Sequence, residues 1–162
     1  MEILKFPNPI LFQRCEEVVD FNQELVLLLE EMYKTMKLAN GIGLAANQVG
    51  LLHRMFVMED ENKKKVFLIN PVIGRKSLAP ALQSEGCLSA PGEFLELEER
   101  LAWVQVAYKD ETGAEKKRIF SGIYSVCVQH EISHLNGESF LNSKSLSKKM
   151  RKQLAIKWNL SK

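Results

Sequence analysis

The amino-acid sequence predicts an α+β fold. Apolar residues recur with helical spacing near the start and the end of the chain, whereas the middle alternates apolar and polar residues as half-buried strands do. Strands that lie between separated helices, without regular alternation of strand and helix, are typical of α+β proteins. A chain of 162 residues has the length of one domain, so we expect residues 1–162 to share a single core.

Three segments have the spacing of amphipathic helices. The first should begin at the N-cap Asn22 and end at Asn40-Gly41, where glycine readily takes the left-handed conformation. The second should follow Ser121-Gly122 and end at Asn136-Gly137. The third should span about residues 146–158, with an apolar stripe that consists of Leu146, Met150, Leu154 and Trp158.

Strands are predicted between the first two helices. Residues 55–58, 66–69, 95–97 and 104–108 are rich in β-forming residues or alternate with period two, and Lys117–Phe120 should be the returning strand of a hairpin. The turn of that hairpin should lie at Asp110–Gly113, and Asn70-Pro71 is expected to end the second strand.

Composition and charge exclude several classes of protein. The chain is 46% hydrophobic and 26% charged, which is ordinary for a globular protein. No run approaches the ~18 apolar residues of a membrane span, and the N-terminus lacks targeting features, so we expect a cytoplasmic protein without a membrane or DNA partner. Residues 144–162 carry seven basic groups and no acidic one, which leaves 15 basic and 20 acidic groups in residues 1–143. Any contact with a polyanion is therefore expected at this basic tail.

The strongest local pattern is His130-Glu131-Ile132-Ser133-His134. Histidines four residues apart in a helix lie one turn apart on the same face, so both imidazoles can bind one cation. Glu131 lies to the side of that face, where it can take a proton from a metal-bound water. The apolar stripe places both histidines inward, and buried imidazoles without a partner are costly, which favours a metal site over a chance occurrence of the pattern.

Two histidines do not complete a catalytic metal site, so a third protein ligand is needed. Phe140 stands where metzincin proteases carry their last histidine, Glu138 lies too close to His134, and residues 139–162 contain no acidic residue. The upstream candidate is Cys87, because a thiolate beside two imidazoles leaves one position for water. Three cysteines at wide spacing also argue against a disulfide framework. The alternative is that Cys87 is a small buried hydrophobe, as most free cysteines are.

A third pattern, residues 41–50, is rich in glycine and alanine. Its small side chains leave room for another chain to pair with the backbone, and it has neither the Walker lysine nor the dinucleotide-binding spacing. Gln48 is a neutral donor suited to an oxyanion. Gly41 is also expected to cap the first helix.

Together the three patterns resemble the peptide deformylase family, whose motifs GxGxAAxQ, EGCxS and the QHE-type metal helix occur in this order. Here they stand at Gly41–Gln48, Glu85–Ser89 and Gln129–His134, and the similarity covers nearly the whole chain. The resemblance implies a hydrolase that removes the formyl group from N-formylmethionine of nascent polypeptides. It also implies β-sheets that surround a central metal-binding helix, and a divalent metal that is usually Fe(II) and can be replaced by Ni(II) or Zn(II).

The resemblance also implies a role for each matching residue. Cys87, His130 and His134 match the metal ligands, Glu131 matches the general base, and Gln48 and the backbone N–H of Leu88 match the oxyanion donors. Positions that pair with the peptide backbone are matched by Ile42, Gly43 and Gly86. The wall of the methionine pocket is matched by Ile123, Val126 and Cys127.

Two positions depart from the family pattern. The family has an acidic residue just before the second histidine, where this chain has Ser133. It also has an arginine eight residues after the proline that follows EGCxS, where Glu99 stands and Arg100 comes one later. This joint change indicates a rebuilt support for the metal ligands and raises the alternative of a weakened deformylase homologue.

Two other classes of protein remain alternatives. An HExxH-type zinc peptidase would share the metal helix but would not explain Cys87 or Gln48. A non-catalytic RNA- or ribosome-binding protein would explain only the basic tail. For a deformylase, a ribosome contact through the basic C-terminal helix is expected as well, because the substrate emerges from the ribosome.

Overall fold

A computed structural model describes residues 1–160. The helices in this part of the chain are α1 (Gln23–Leu38), α2 (Gly122–Leu135) and α3 (Lys148–Lys157). The strands are β1 (Gly43–Ala45), β2 (Met55–Glu59), β3 (Lys65–Lys76), β4 (Ser84–Cys87), β5 (Ala90–Glu96), β6 (Trp103–Lys109) and β7 (Glu115–Ser121). Short 3-10 helices lie at Pro9–Phe12, Ala46–Val49 and Phe140–Asn142.

The strands form two antiparallel sheets. The larger sheet has the order β1-β2-β3-β6-β7, and the smaller one is the hairpin β4-β5. Because every strand pairing is antiparallel and the helices are not interleaved with parallel strands, the predicted α+β class is confirmed. That residues 1–162 form one domain stays a prediction.

The large sheet separates α1 from α2. Strand β2 is buried along its whole length, as expected for a strand that is covered on both faces. Phe56 and Met58 pack in the apolar cluster on the α2 side, whereas Met55 and Val57 pack in the cluster on the α1 side. Helix α2 also contacts β1, β6 and β7, and nearly every side chain from Ser125 to Leu135 is buried. The histidine-bearing helix therefore lies inside the protein.

Helix α1 begins and ends close to the predicted positions. The side chain of Asn22 accepts a hydrogen bond from the Leu25 N–H at 3.0 Å, as an N-cap does. At the other end Asn40, with φ of 57°, is the left-handed residue, and the Gly41 N–H donates to the Met36 carbonyl at 3.0 Å. This is a Schellman motif. Gly41 therefore takes part in the cap through its N–H, but the left-handed conformation expected of it is adopted by Asn40, because asparagine tolerates that conformation.

Strand β3 does not end at Asn70-Pro71 as predicted. The pairing with β6 shifts register between Ile69 and Val72, and the strand then continues to Lys76. Asn70 takes a φ of 51°, and its side chain accepts from the Val18 N–H at 2.9 Å and donates to the Val18 carbonyl at 2.8 Å. A bulge thus accommodates the proline, which has no N–H to donate, without breaking the strand.

Helix α3 is two residues shorter at its start than predicted, because Ser147 is the N-cap and its side chain accepts from the Met150 N–H at 3.1 Å. Leu154 is buried and Leu146 and Trp158 are partly buried against β4-β5, but Met150 is 40% exposed. Three of the four predicted stripe residues therefore pack inward, and Met150 does not. Of the predicted basic tail, Lys162 lies outside the described residues.

None of the helices in residues 1–160 combines the length and the apolar character that crossing a membrane requires.

The first prediction concerns the bulge in β3. Asn70→Ala removes two hydrogen bonds to Val18. It also leaves a non-glycine residue at a positive φ without a polar side chain that could bond the nearby backbone. We expect the free energy of unfolding to fall by about 2–3 kcal/mol in urea titrations. Asn70→Gly should cost less, because glycine adopts this conformation without strain. The control is Asn142→Ala at an exposed position; equal stability of Asn70→Ala and this control would contradict the role of Asn70.

Candidate active site

The predicted metal ligands come together at one point. His130 and His134 lie one turn apart on α2, and Cys87 lies at the end of β4. Their ligand atoms all lie within 4.8 Å of one another, and all three residues are buried. The Nε2 atom of His134 is 3.2 Å from the Sγ atom of Cys87 and 3.1 Å from the Nε2 atom of His130. Three lone-pair donors therefore converge on a space of the size of one ion.

The chemistry of the cluster fits a cation. Burial lowers the pKa of His134 well below its usual value, so this imidazole is neutral. Burial also lowers the pKa of His130, but the adjacent Cys87 and Glu85 outweigh this effect and raise the pKa to about 10. The cluster could hold a divalent ion, since a thiolate and two imidazoles are ligands for borderline metals.

A buried ion pair of Glu85 and Arg100 holds the His130 ring on the side away from the cluster. The Nδ1 atom of His130 is hydrogen-bonded to the Oε2 atom of Glu85, which directs its Nε2 atom toward the cluster. Arg100 binds the same carboxylate through two hydrogen bonds, from Nε to Oε1 at 2.7 Å and from Nη2 to Oε2 at 3.1 Å. Burial opposes the charge of Glu85, but His130 and Arg100 outweigh it and lower the pKa of the carboxyl group. The carboxylate is therefore ionised.

The two departures from the family pattern belong to this same network. The Nη1 atom of Arg100 donates to the Oγ atom of Ser133 at 3.1 Å, and that hydroxyl donates to the Gln129 carbonyl at 3.0 Å. Arg100 reaches Glu85 although it stands one position later than the family pattern has it. A serine hydroxyl, in place of a carboxylate, accepts a third hydrogen bond from the Arg100 guanidinium. Arg100 thus links Glu85, which contacts His130, to Ser133 on the metal helix.

Glu131 is buried beside the cluster. Burial, together with the negative charge of Glu85, raises its pKa to about 7 against the opposing charges of His130 and Arg100. Its Oε2 atom has no hydrogen-bond partner among the described residues. A Cβ atom at Gly43 would lie 2.7 Å from Oε1 of Glu131 and 2.6 Å from the Cys127 sulfur, so only glycine lets β1 approach α2 this closely. Glu131 is thus held between β1 and the cluster, with one carboxyl oxygen unpaired among the described residues.

Gln48 is held with its amide directed at the cluster. Its Oε1 atom accepts from the Ala45 N–H at 2.9 Å, and its Nε2 atom donates to the Ser89 hydroxyl at 3.1 Å and lies 3.7 Å from the Cys87 sulfur. Leu88 lies next to Cys87, and its carbonyl accepts a hydrogen bond from the Lys5 ammonium at 2.5 Å. Both predicted oxyanion donors therefore stand beside Cys87.

A cavity of about 610 Å³ opens next to the cluster. All six predicted substrate-binding residues line it, namely Ile42, Gly43, Gly86, Ile123, Val126 and Cys127, and so do Cys87, His130 and Glu131. Val126 and Cys127 are buried in its wall, whereas Ile42 and Ile123 are each 44% exposed at its rim. Burial, reinforced by the charges of Glu131 and Glu85, raises the pKa of the Cys127 thiol well above its usual value, so the wall is uncharged there.

Two unpaired strand edges face this cavity. Strand β1 pairs only with β2, and β4 pairs only with β5, and both contribute lining residues through Gly43 and Gly86. Free strand edges are the usual receptor for an extended peptide, which adds its own backbone hydrogen bonds to them. The two free edges beside the cavity therefore leave room for an extended chain next to the cluster.

Some site residues were not recognised from the sequence. Glu85 could have been found, because it lies two residues before Cys87 on one strand and must share its face. No local pattern indicates that the Asn47 side chain donates to the His134 carbonyl at 2.6 Å, or that Lys5 reaches Leu88. These contacts join residues that are more than 80 positions apart in the chain.

Comparison with known proteins agrees with this geometry. The family model described as polypeptide deformylase matches residues 1–150. The chain is 38% identical to the peptide deformylase of Maricaulis maris over 160 residues, which cover 96% of this chain and 91% of that protein. It is 40% identical to peptide deformylase 1 of Bacillus cereus over 141 residues, which cover 86% of this chain and 89% of that protein.

Solved structures give the same result. The crystal structure of a peptide deformylase from Legionella pneumophila has a TM-score of 0.88 and 32% identity, and the match covers 98% of this chain and 92% of that one. A peptide deformylase from Synechococcus elongatus, crystallised in complex with actinonin, has a TM-score of 0.88 and 34% identity, with 99% and 86% of the two chains covered. The chain described here therefore belongs to the peptide deformylase family.

Proposed function

We propose that this protein removes the N-formyl group from the formylmethionine that begins nascent polypeptides, and releases formate. The observation that carries the proposal is the buried cluster of Cys87, His130 and His134, with Glu131 beside it, next to a cavity between two free strand edges. Family membership supports deformylation over the alternative of an HExxH-type zinc peptidase, which gives no reason for Cys87 or Gln48. The substrate would be met in the cytoplasm, where polypeptides are made.

The substrate would bind as an added strand. Its backbone would pair with the edges of β1 and β4 near Ile42, Gly43 and Gly86, and the methionine side chain would enter the apolar wall of Ile123, Val126 and Cys127. This binding mode would bring the formyl group to the ligand cluster. A neutral, largely buried pocket suits the unbranched, polarizable methionine side chain.

Cys87, His130 and His134 would hold one divalent ion, and we infer Fe(II), with Zn(II) or Ni(II) able to replace it. When bound, such an ion supplies positive charge that activates water and polarises a carbonyl group. Glu85 and Arg100 keep the His130 ring in the orientation that this requires. Because this network closes through Ser133, we infer that the departure from the family pattern does not disable the site.

The chain's own residues would then move the proton and hold the carbonyl oxygen. Glu131 accepts a proton from the attacking water, and the oxygen of that water forms a bond to the formyl carbon. The Gln48 amide and the Leu88 N–H donate hydrogen bonds to the oxygen that becomes negative. The carbon–nitrogen bond breaks as Glu131 delivers the proton to the departing amine, which leaves formate and a free methionine terminus. A carboxyl group with a pKa near 7 is suited to both transfers.

We also propose that the basic face of α3 contacts ribosomal RNA. Lys148, Lys149 and Lys152 are exposed there, while Leu154 on the other face is buried in the protein. An exposed cluster of lysines on a docked helix is the arrangement that phosphate binding requires. The contact would place the cavity near the emerging chain.

The second prediction concerns proton transfer. Glu131→Gln keeps the shape of the side chain but removes the base, so formate release from formyl-Met-Ala should fall by about 10²–10⁴-fold while the metal stays bound. Glu138→Gln, which changes an exposed carboxyl group on the loop after α2, is the matched control and should remain fully active. If Glu131→Gln retained a third of the activity, another group would have to be the base.

The third prediction concerns the metal. Cys87→Ser replaces a thiolate with a poor neutral ligand, so the metal content of anaerobically purified protein should fall from about one ion per chain to well below half, measured by elemental analysis. Cys127→Ser, in the cavity wall, should keep the metal and change mainly the selectivity for methionine. Tightly held metal in Cys87→Ser would show that this cysteine is not a ligand. The same analysis identifies the native ion.

The fourth prediction concerns ribosome binding. The intact protein should sediment with ribosomes at low salt and dissociate as salt rises, because phosphate contacts weaken steeply with ionic strength. Changing Lys148, Lys149 and Lys152 to glutamate should abolish the binding. The matched control changes three exposed lysines elsewhere, Lys64, Lys76 and Lys117, to glutamate and should bind like the intact protein. Equal loss in both triple variants would assign the binding to net charge rather than to α3.

A further inference from the structure

An exposed aromatic ring stands at the entrance of the cavity. Phe94 on β5 lines the cavity, yet 72% of its surface is exposed, and it is the pairing partner of Gly86 on β4. A Cβ atom at Gly86 would lie 2.9 Å from the Cε1 atom of Phe94. The ring therefore lies across Gly86, next to the free edge of β4. A larger residue at position 86 would clash with the ring and displace it.

The ring lies on the face of the hairpin opposite to the metal ligands. Along β4 the side chains of Glu85 and Cys87 are buried toward α2, whereas positions 84 and 86 face outward. Phe94 shares the outward face with Gly86, because directly paired residues in an antiparallel pair point to the same side. On the opposite side of the cavity, Ile42, which precedes Gly43, is also partly exposed. Two apolar side chains thus flank the outer side of the cavity.

A peptide bound between the two edges would present alternate side chains to the two faces. This step rests on the proposed function, which puts the methionine side chain inward, against Val126 and Cys127. Because side chains in an extended strand alternate, the residue that follows the methionine would point outward, toward Phe94 and Ile42. The next residue would point inward again.

The charge of Glu93, which lies beside the ring, is compensated. Glu93, the neighbour of Phe94 and also a lining residue, forms an ion pair with Lys157 and accepts a hydrogen bond from the Trp158 indole N–H at 3.0 Å. No free charge of Glu93 is therefore available to attract a basic side chain. We propose that Phe94 determines specificity for the residue that follows the methionine, and that it favours an apolar or aromatic side chain there.

The test uses the metal-loaded enzyme and a series of peptides formyl-Met-X-Ser, in which X is Phe, Leu, Ser, Asp or Lys. For the intact protein, kcat/KM should be about fivefold to tenfold higher with X = Phe or Leu than with X = Ser, mainly through KM, as expected for modest apolar burial. Phe94→Ser should reduce this ratio to about one, mainly by lowering kcat/KM for X = Phe and X = Leu. Phe94→Lys should give a new preference for X = Asp, which a merely structural role of Phe94 would not produce.

Ile119→Ser is the matched control, because Ile119 is an exposed apolar residue on β7 that does not line this cavity. It should retain the ratio of the intact protein. An intact protein that does not distinguish the peptides, or a Phe94→Ser variant that keeps the full ratio, would overturn the inference while formate release still supports the proposed function. Absence of formate release from every peptide would overturn both.

Discussion

The structure depends on burying a polar helix in an apolar core. Helix α2 carries two imidazoles and a carboxyl group on a segment that the sheet encloses, where an isolated charge costs several kcal/mol. Each of these groups therefore needs a compensating partner or a ligand. The His130 ring has Glu85, Glu85 has Arg100, and the third guanidinium hydrogen bond goes to Ser133. The Nε2 atom of His130 and the Cys87 sulfur lie 3.1 and 3.2 Å from the Nε2 atom of His134, and these three atoms are the set that a metal would satisfy.

Small residues make this burial possible. Gly43 lets β1 approach α2 until the backbone nearly touches Glu131 and Cys127, and Gly86 leaves space on β4 that the Phe94 ring occupies. A larger residue at position 43 would push β1 and α2 apart, and one at position 86 would displace the ring. The lack of a side chain at Gly43 allows close packing of β1 on α2. Because both glycines also line the cavity, their lack of side chains leaves the cavity open as well.

The C-terminal segment holds the hairpin that carries Cys87. Leu154 is buried in the same cluster as Leu95 and Leu97, and Trp158 and Lys157 both bind Glu93. Farther along, Glu99 accepts hydrogen bonds from Ser143 and Ser145. The apolar face of α3 is thereby used within the chain, and the lysines on its other face are left to solvent.

The sequence by itself was sufficient for those features that depend on neighbours in the chain. The helical spacing of α1 and α2, the period-two strands and the hairpin turn follow from local sterics and periodicity. The spacing of His130 and His134 brings them onto one face of a helix for the same reason, and Cys87 could be selected because the chain offers no downstream ligand. The order of the motifs was enough to recognise the family.

Only the tertiary structure decided the features that depend on residues distant in the chain. Asn70 continues β3 through a bulge because Val18, from another segment, satisfies its side chain. Arg100 compensates for its shifted position because the loop that carries it can reach both Glu85 and Ser133. The bond from Asn47 to His134 and the position of Phe94 over Gly86 likewise arise when separate strands and helices pack. Such contacts have no periodic signature, since they are set by the space between elements and not by the order of residues within one.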